Sequence, residues 1–204
     1  RCSTKKPKKG IAYMQQQGML GTSIEDIALF LRRTKGLNKT LIGDYLGERD
    51  DTCIKVMHAY VDAMNFSGME FDDAIRMFLA DFRLPGEAQK IDRLMEKFAE
   101  RYFLCSPENM FKSADVAYVL AFSVIMLNTD AHNPMVKVKM SREGFLNNNR
   151  GINDGQDLPG EYLAALYDRI QNNEIKMKDT DPVESMRAAA PAAGAAASKG
   201  WVDT

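Results

Sequence analysis

Residues 85–87 place a glutamate directly after a proline and a glycine, where a helical pattern begins. Pro85 fixes one backbone dihedral angle, and Gly86 can adopt left-handed conformations that other residues avoid. The pattern predicts a rigid turn that points the carboxylate of Glu87 outward, anchored on a buried helix. The alternative is that Glu87 simply begins a helix, where the helix dipole favours acidic side chains. The apolar positions behind the turn recur at helical spacing; they are Ile91, Leu94, Met95, Phe98 and Tyr102.

A second group of polar side chains follows the most apolar stretch of the chain. Residues 116–127 are apolar except for Ser123, and such a helix is expected in the middle of the fold. Asp130 and His132 could form a metal or acid–base site, but no His/Cys set at ligand spacing accompanies them. We favour a hydrogen-bonded cluster that turns the chain out of the helix, and we predict no metal. The polar residues are Asn128, Thr129, Asp130, His132 and Asn133.

The sequence does not match other motifs that are typical of enzymatic or metal-binding sites. Gly155 and Glu161 have the spacing of the sixth and twelfth residues of a calcium loop. Arg150 and Ile152, however, occupy positions that require oxygen ligands, so we reject calcium binding. The sequence contains no Gly-rich phosphate loop and no nucleophile motif. No cofactor is therefore predicted.

The composition is that of an ordinary globular protein. Of the 204 residues, 45% are hydrophobic, and the net charge of -1 gives no basic field that would favour nucleic acid. Three scattered cysteines are typical of a reducing cytoplasm. The apolar run falls short of the ~20 residues of a membrane helix, so any membrane contact should be peripheral. A local basic cluster could touch an anionic surface, although a solvated charge run is the preferred interpretation; it consists of Lys5, Lys6, Lys8 and Lys9.

Helical periodicity along the chain predicts an all-α fold of about ten short helices. Residues 5–177 are expected to form one domain. Residues 178–204 contain an alanine-rich run broken by Pro191 and Gly194, which predicts a flexible tail or linker. The predicted helix starts are Pro7, Ser23, Asn38, Thr52, Ser113, Ser141 and Pro159.

Two motifs together resemble the catalytic domain of Arf guanine-nucleotide exchange factors, the Sec-seven domain. They are F-R-L-P-G-E-A-Q-K-I-D-R at residues 82–93 and S-V-I-M-L-N-T-D-A-H-N-P at residues 123–134. The resemblance extends over residues 5–177 and implies a right-handed superhelix with an apolar groove beside the first motif. Shorter stretches agree with it: P-K-K-G-I, A-Y-V-D, F-S-G and N-R-G-I-N-D.

The resemblance implies a function and a partner. A GDP-bound Arf-family GTPase would receive Glu87 near the β-phosphate and the Mg²⁺ ion, so that GDP is released without covalent chemistry. The partner's switch regions would be displaced into the apolar groove, and the activity would support vesicle trafficking. The residues that the resemblance assigns to this groove and its rim are Gln89, Asp92, Phe122, Ile125, Met126 and Asn133.

The resemblance also implies a subgroup. Ser123, Asp130 and Met140 match the pattern linked to inhibition by brefeldin A in large, Golgi-type members, where the drug binds at the complex interface. Phe122 departs from that pattern, because such members usually carry tyrosine there. The expected location is the cytoplasm, peripheral to Golgi or endosomal membranes. Two other functions stay open: a helical scaffold without exchange activity, and a hydrolase that uses Glu87 and His132.

Overall fold

The computed structural model describes residues 6–106 and 110–177. Within these ranges the chain forms nine α-helices and no β-strand, which confirms the all-α prediction. The predicted tail, residues 178–204, lies outside the described residues. The helices are α1 (Pro7–Gln16), α2 (Ile24–Arg33), α3 (Lys39–Leu46), α4 (Asp51–Asp62), α5 (Phe71–Phe78), α6 (Ala88–Cys105), α7 (Ala114–His132), α8 (Arg142–Asn148) and α9 (Gly160–Asn172).

Short polar side chains cap four of the nine described helices, three of them at positions that the sequence predicted. Ser23, Asn38 and Ser141 each accept a hydrogen bond from a backbone N–H in the first turn of the following helix. The helix predicted to begin at Thr52 begins one residue earlier. Asp50 caps it, because Oδ1 of its carboxylate accepts from the N–H of Thr52 at 3.1 Å.

Two helices are longer than the short elements that the sequence predicted. α6 has 18 residues and α7 has 19, and α7 continues through the polar stretch that was expected to end it. The N–H of Asn133 still donates to the carbonyl of Thr129 at 2.9 Å, so the chain leaves the helix only after His132. The polar side chains do not break the helix, because Asn128 and His132 bond to other segments and the hydroxyl of Thr129 donates to the carbonyl of Ile125 within α7, so that none of the three competes for the helix's own N–H groups.

Helix α7 has the length and hydropathy of a membrane-spanning helix, alone among the helices that the structure describes. Most of it is nevertheless buried inside the protein. Leu120, Ala121, Val124 and Leu127 are each 0% exposed. This burial is typical of the central helix of a globular core.

Aromatic rings form the part of the core that lies behind the turn. Phe78 packs edge-to-face on Phe82 with ring centroids 5.0 Å apart, and its ring lies 4.9 Å from that of Phe98. Phe82 also meets Tyr60 of α4 at 6.1 Å. The residue that enters the turn and the helix that leaves it therefore insert into the same aromatic cluster.

Helix α3 packs closely against the segment that leads into the turn. The N–H of Arg83 donates to the carbonyl of Lys39 at 3.0 Å, and Nζ of Lys39 donates to the carbonyl of Ala80 at 2.5 Å. A Cβ atom on Gly43 would overlap the carbonyl oxygen of Arg83. Only glycine allows this approach, because the obstacle is backbone that cannot rotate away.

Gly43→Ala should therefore lower the free energy of unfolding by about 2 kcal/mol, since the added methyl forces α3 away from the chain. Gly160→Ala is the matched control, because the nearest atom to a Cβ there is 4.0 Å away and alanine favours helices. Urea titration followed by circular dichroism measures both. Equal stabilities for Gly43→Ala and the wild type would contradict the packing of α3.

Candidate functional site

Glu87 lies at the N-cap position of α6, two residues after the buried Pro85. Its backbone is extended, with φ -94° and ψ 126°, and its carbonyl accepts from the N–H of Ile91 at 3.1 Å. The side chain makes no capping hydrogen bond and is 72% exposed. Glu87 therefore begins a helix and also presents its carboxylate to solvent, so the two interpretations of the turn are compatible.

Gly86 does not adopt the left-handed conformation that the sequence allowed. The described glycines with positive φ are Gly18, Gly36, Gly68, Gly151 and Gly155. A Cβ on Gly86 would also meet no atom within 4 Å. The shape of the turn therefore comes from Pro85 and from the anchored segments on either side.

Lys90 holds the carboxylate of Glu87 from the next turn of α6. Its Nζ lies 3.2 Å from Oε1 of Glu87 and 3.0 Å from Oε1 of Glu48, and its side chain is only 13% exposed. Burial lowers the pKa of Lys90, but hydrogen bonds to Glu48 and Glu87 outweigh that effect, and the net pKa is raised. The ammonium stays charged and bridges the two carboxylates.

The end of α3 supports this bridge. A Cβ on Gly47 would come within 2.8 Å of Cβ of Lys90, so the glycine makes room for the lysine stem. Arg93 donates from its guanidinium to the carbonyl of Gly47. The sequence analysis missed Lys90 and Glu48. The i,i+3 spacing of Glu87 and Lys90 could have indicated the first pair, whereas Glu48 is distant in sequence.

Asp92 connects α6 to α7, while Gln89 is exposed on the first turn of α6. The hydroxyl of Tyr118 donates to Oδ1 of Asp92. Burial raises the pKa of Tyr118 well above its usual value, and the hydrogen bond to Asp92 adds to the shift. The phenol stays protonated and acts as a donor, which fixes the Asp92 side chain beside α7.

The apolar residues assigned to the groove lie beneath the surface in the isolated chain. Phe122 is 2% exposed, Ile125 0% and Met126 8%. Phe122 packs edge-to-face on Tyr118, with ring centroids 5.1 Å apart. A partner would first meet Tyr118 and the edge of Met126, so binding at Phe122 and Ile125 requires side chains to move apart.

The polar residues at the end of α7 join this helix to the segment that follows α9. Asn128 is 2% exposed; its Oδ1 accepts from the N–H of Ile175 at 2.7 Å, and its Nδ2 donates to the carbonyl of Ile175 at 3.0 Å. Nε2 of His132 lies 2.7 Å from the carbonyl of Ile170. Among residues 6–106 and 110–177, no group of His, Cys, Asp and Glu side chains is placed to hold a metal. These hydrogen bonds confirm that the polar side chains form a hydrogen-bonded cluster. The prediction that the cluster turns the chain out of the helix is wrong for residues 128–132, which lie within α7.

The residues that the resemblance relates to inhibition lie on α7 and after it. Oδ2 of Asp130 accepts from the N–H of Met140 at 2.7 Å, so these two lie together. Ser123 precedes Asp130 by two helical turns and shares its face of α7. Its Oγ is buried and has no hydrogen-bond partner among the described residues.

Asn133, which the resemblance assigns to the groove and its rim, is partly buried. Its carbonyl accepts from Nζ of Lys139 at 2.6 Å.

Asn128→Ala should lower the free energy of unfolding by about 3 kcal/mol, because it leaves the buried N–H and carbonyl of Ile175 without partners. Asn172→Ala is the control, since the exposed Asn172 also donates to a backbone carbonyl, that of Asp168. Thermal unfolding with and without a chelator compares the variants. An unaffected Asn128→Ala, or a chelator effect on the wild type, would contradict the structural role.

Comparison with known proteins places this geometry in a family. The family model of the Sec7 domain matches residues 3–175. Brefeldin A-inhibited guanine nucleotide-exchange protein 3 of Arabidopsis thaliana is 69% identical over 174 residues, covering 85% of this chain. The corresponding protein 1 of Homo sapiens is 58% identical over 177 residues, covering 86% of this chain. The chain spans 10% of the length of each of these relatives.

Solved structures agree with the sequence comparison. The crystal structure of the Sec7p catalytic domain has a TM-score of 0.79 and 52% identity, covering 83% of this chain and 89% of that chain. A chain in the structure of ARF1-GDP bound to a Sec7 domain complexed with brefeldin A has a TM-score of 0.77 and 40% identity. That match covers 85% of this chain and 88% of the other. The chain belongs to the Sec7 domain family, the Sec-seven domain that its two motifs resemble.

Proposed function

We propose that this chain is a guanine-nucleotide exchange factor that releases GDP from an Arf-family small GTPase. The observation that carries the proposal is Glu87, an exposed carboxylate at the start of a buried helix in a Sec-seven domain. The relatives are named as guanine nucleotide-exchange proteins, and a similar Sec7 domain binds ARF1-GDP. The exchange itself makes and breaks no covalent bond.

Electrostatic repulsion would supply the driving force. A carboxylate brought to ~4 Å from a phosphate charge is repelled by about 4 kcal/mol at an effective dielectric constant of 20. That energy corresponds to roughly a thousandfold weaker nucleotide binding. Lys90 does not cancel the effect, because its single positive charge is shared between Glu48 and Glu87. The three side chains together keep one negative charge, and Glu87 is the most exposed of them.

The second part of the proposed mechanism is displacement of the partner's switch regions. Gln89, Asp92 and Asn133 would form polar contacts around the apolar residues of α7. Met126 suits an adaptable contact, because its unbranched side chain accepts different neighbours. Phe122 and Ile125 are buried in the isolated chain, so contact between them and the partner would require neighbouring side chains to move.

Brefeldin A is proposed to bind at the interface of the complex. The relatives are named as inhibited by this drug, and one similar structure contains it. Ser123, Asp130 and Met140 are the residues proposed to contact it, and Phe122 would modify the contact.

The cytoplasmic face of Golgi or endosomal membranes is the proposed location, with membrane contact through other regions of the full-length protein. Residues 178–204 are proposed to be a flexible tail or linker.

Glu87→Lys should reduce stimulated GDP release by at least about a hundredfold, because the charge that repels the phosphate is reversed. The GTPase should still bind, and the complex should retain GDP. Fluorescent-GDP release and pull-down measure the two effects. Glu161→Lys is the matched control, since Glu161 is an exposed glutamate in the first turn of α9. Full activity in Glu87→Lys would overturn the mechanism, and an inactive wild type that still binds the GTPase would favour the scaffold.

Lys90→Gln should slow exchange by up to about fivefold, because an ion pair worth up to ~1 kcal/mol no longer orients Glu87. Lys97→Gln is a close control on the same helix. Lys97 is 11% exposed and is likewise shared between two carboxylates, Asp62 at 2.9 Å and Glu100 at 3.5 Å. Exchange rates at equal thermal stability compare the two variants. Equal rates in both would show that Lys90 supports only the fold.

A further inference from the structure

A cavity of about 230 Å³ lies between the end of α2 and the start of α3. Four basic side chains line it, together with one acidic side chain, Asp81. Gly36 lies in the connection between the two helices, and its φ of 82° lies in the left-handed region. We call this site the α2–α3 basic cavity; its basic residues are Arg32, Arg33, Lys35 and Lys39.

The positive charge of the α2–α3 basic cavity exceeds its negative charge, because four basic side chains line it with the single carboxylate of Asp81. Among the described residues, none of its four basic side chains lies within 4.0 Å of a carboxylate, and Asp81 forms no ion pair. Elsewhere the partly buried Lys90, Lys97 and Arg169 have carboxylate partners, and the partly buried Arg83, Arg93 and Arg101 donate to backbone carbonyls instead. The chain as a whole has a net charge of -1. A concave cluster of unpaired cations on such a protein indicates an anionic ligand.

Two of the basic groups are held in place. The guanidinium carbon of Arg32 lies 5.8 Å from the centre of the Tyr60 ring. Nζ of Lys39 donates to the carbonyl of Ala80, which leaves two of its three protons for a ligand. Lys39 is also the first residue of α3, whereas Arg32 and Arg33 lie in the last turn of α2, so the positive dipole end of α3 and the negative dipole end of α2 oppose each other at this site. Arg33 and Lys35 are exposed and free to close on a ligand.

We propose that the α2–α3 basic cavity binds a phosphate ester. Two arginines suit phosphate because their planar guanidinium groups donate paired hydrogen bonds to its oxygens. The volume is below that of most drug-sized sites, which favours one or two phosphate groups over a large organic ligand. The phosphate could belong to a lipid headgroup or to a soluble metabolite, and both sources share this chemistry. The site goes beyond the exchange activity and does not depend on it.

Helix α3 connects the α2–α3 basic cavity to the surroundings of Glu87. The first turn of α3 lines the cavity, and the end of α3 contacts Lys90 and Arg93 beside Glu87. A ligand on a membrane surface would therefore fix the orientation of the helix that supports the carboxylate.

The test is direct binding by the full 204-residue chain, without any GTPase. The probes are inorganic phosphate, soluble inositol trisphosphate, and vesicles of phosphatidylcholine with or without a phosphorylated inositol lipid. The double variant Arg33→Gln/Lys35→Gln should bind about tenfold or more weakly, because two charge-assisted contacts are lost. The control Lys112→Gln/Lys176→Gln removes the same charge from two other exposed lysines. Hydrogen exchange of the wild type should show protection of residues 32–42.

Binding of both the soluble headgroup and the vesicles would support the site with either source. Binding of the vesicles alone would support it with a lipid source, and binding of only the soluble probes would support a metabolite. Binding of none of the probes would overturn the proposal. Equal losses in the variant and the control would also overturn it, since general charge attraction would then suffice, and so would protection confined to segments outside α2, α3 and their connection, residues 24–46.

Discussion

The insertion of Phe82 and Phe98 into one aromatic cluster is the constraint on which the rest of this structure depends. Phe78 lies between them, 5.0 Å from the first ring and 4.9 Å from the second. The residues between these anchors form the turn and the first part of α6. Burial of large rings is among the strongest stabilising contributions in a fold. The carboxylate of Glu87 is thus exposed on a segment whose two ends are fixed in the core.

Helix α3 supplies a second support. It approaches the chain before the turn through Gly43 and the helix after the turn through Gly47. Lys90 then connects Glu87 to Glu48 at the end of the same helix. Under the proposed function Glu87 enters another protein's nucleotide site, and such a side chain needs a defined direction before binding, because ordering it during binding would cost free energy. The two glycines and the lysine provide that direction.

Local features of this fold could be predicted from the sequence, and features that depend on distant residues could not. The caps at Ser23, Asn38 and Ser141 followed from side chains that bond within one turn. The exposed Glu87 followed from the Pro-Gly pair. The bridge to Glu48 could not be predicted, because it joins residues 42 positions apart. The end of α7 was predicted too early, because the partner of Asn128 is Ile175, which only the tertiary fold brings near.

The central claim is that a rigidly held glutamate makes this chain a catalyst of nucleotide release rather than a binding surface. The most direct measurement is GDP release from a large molar excess of an Arf-family GTPase, with GTP present and the chain in trace amounts. The account predicts that each molecule of the chain releases GDP from many GTPase molecules, at a rate proportional to its concentration. Release that stops at one GDP per chain, or that does not exceed the spontaneous rate, would contradict it.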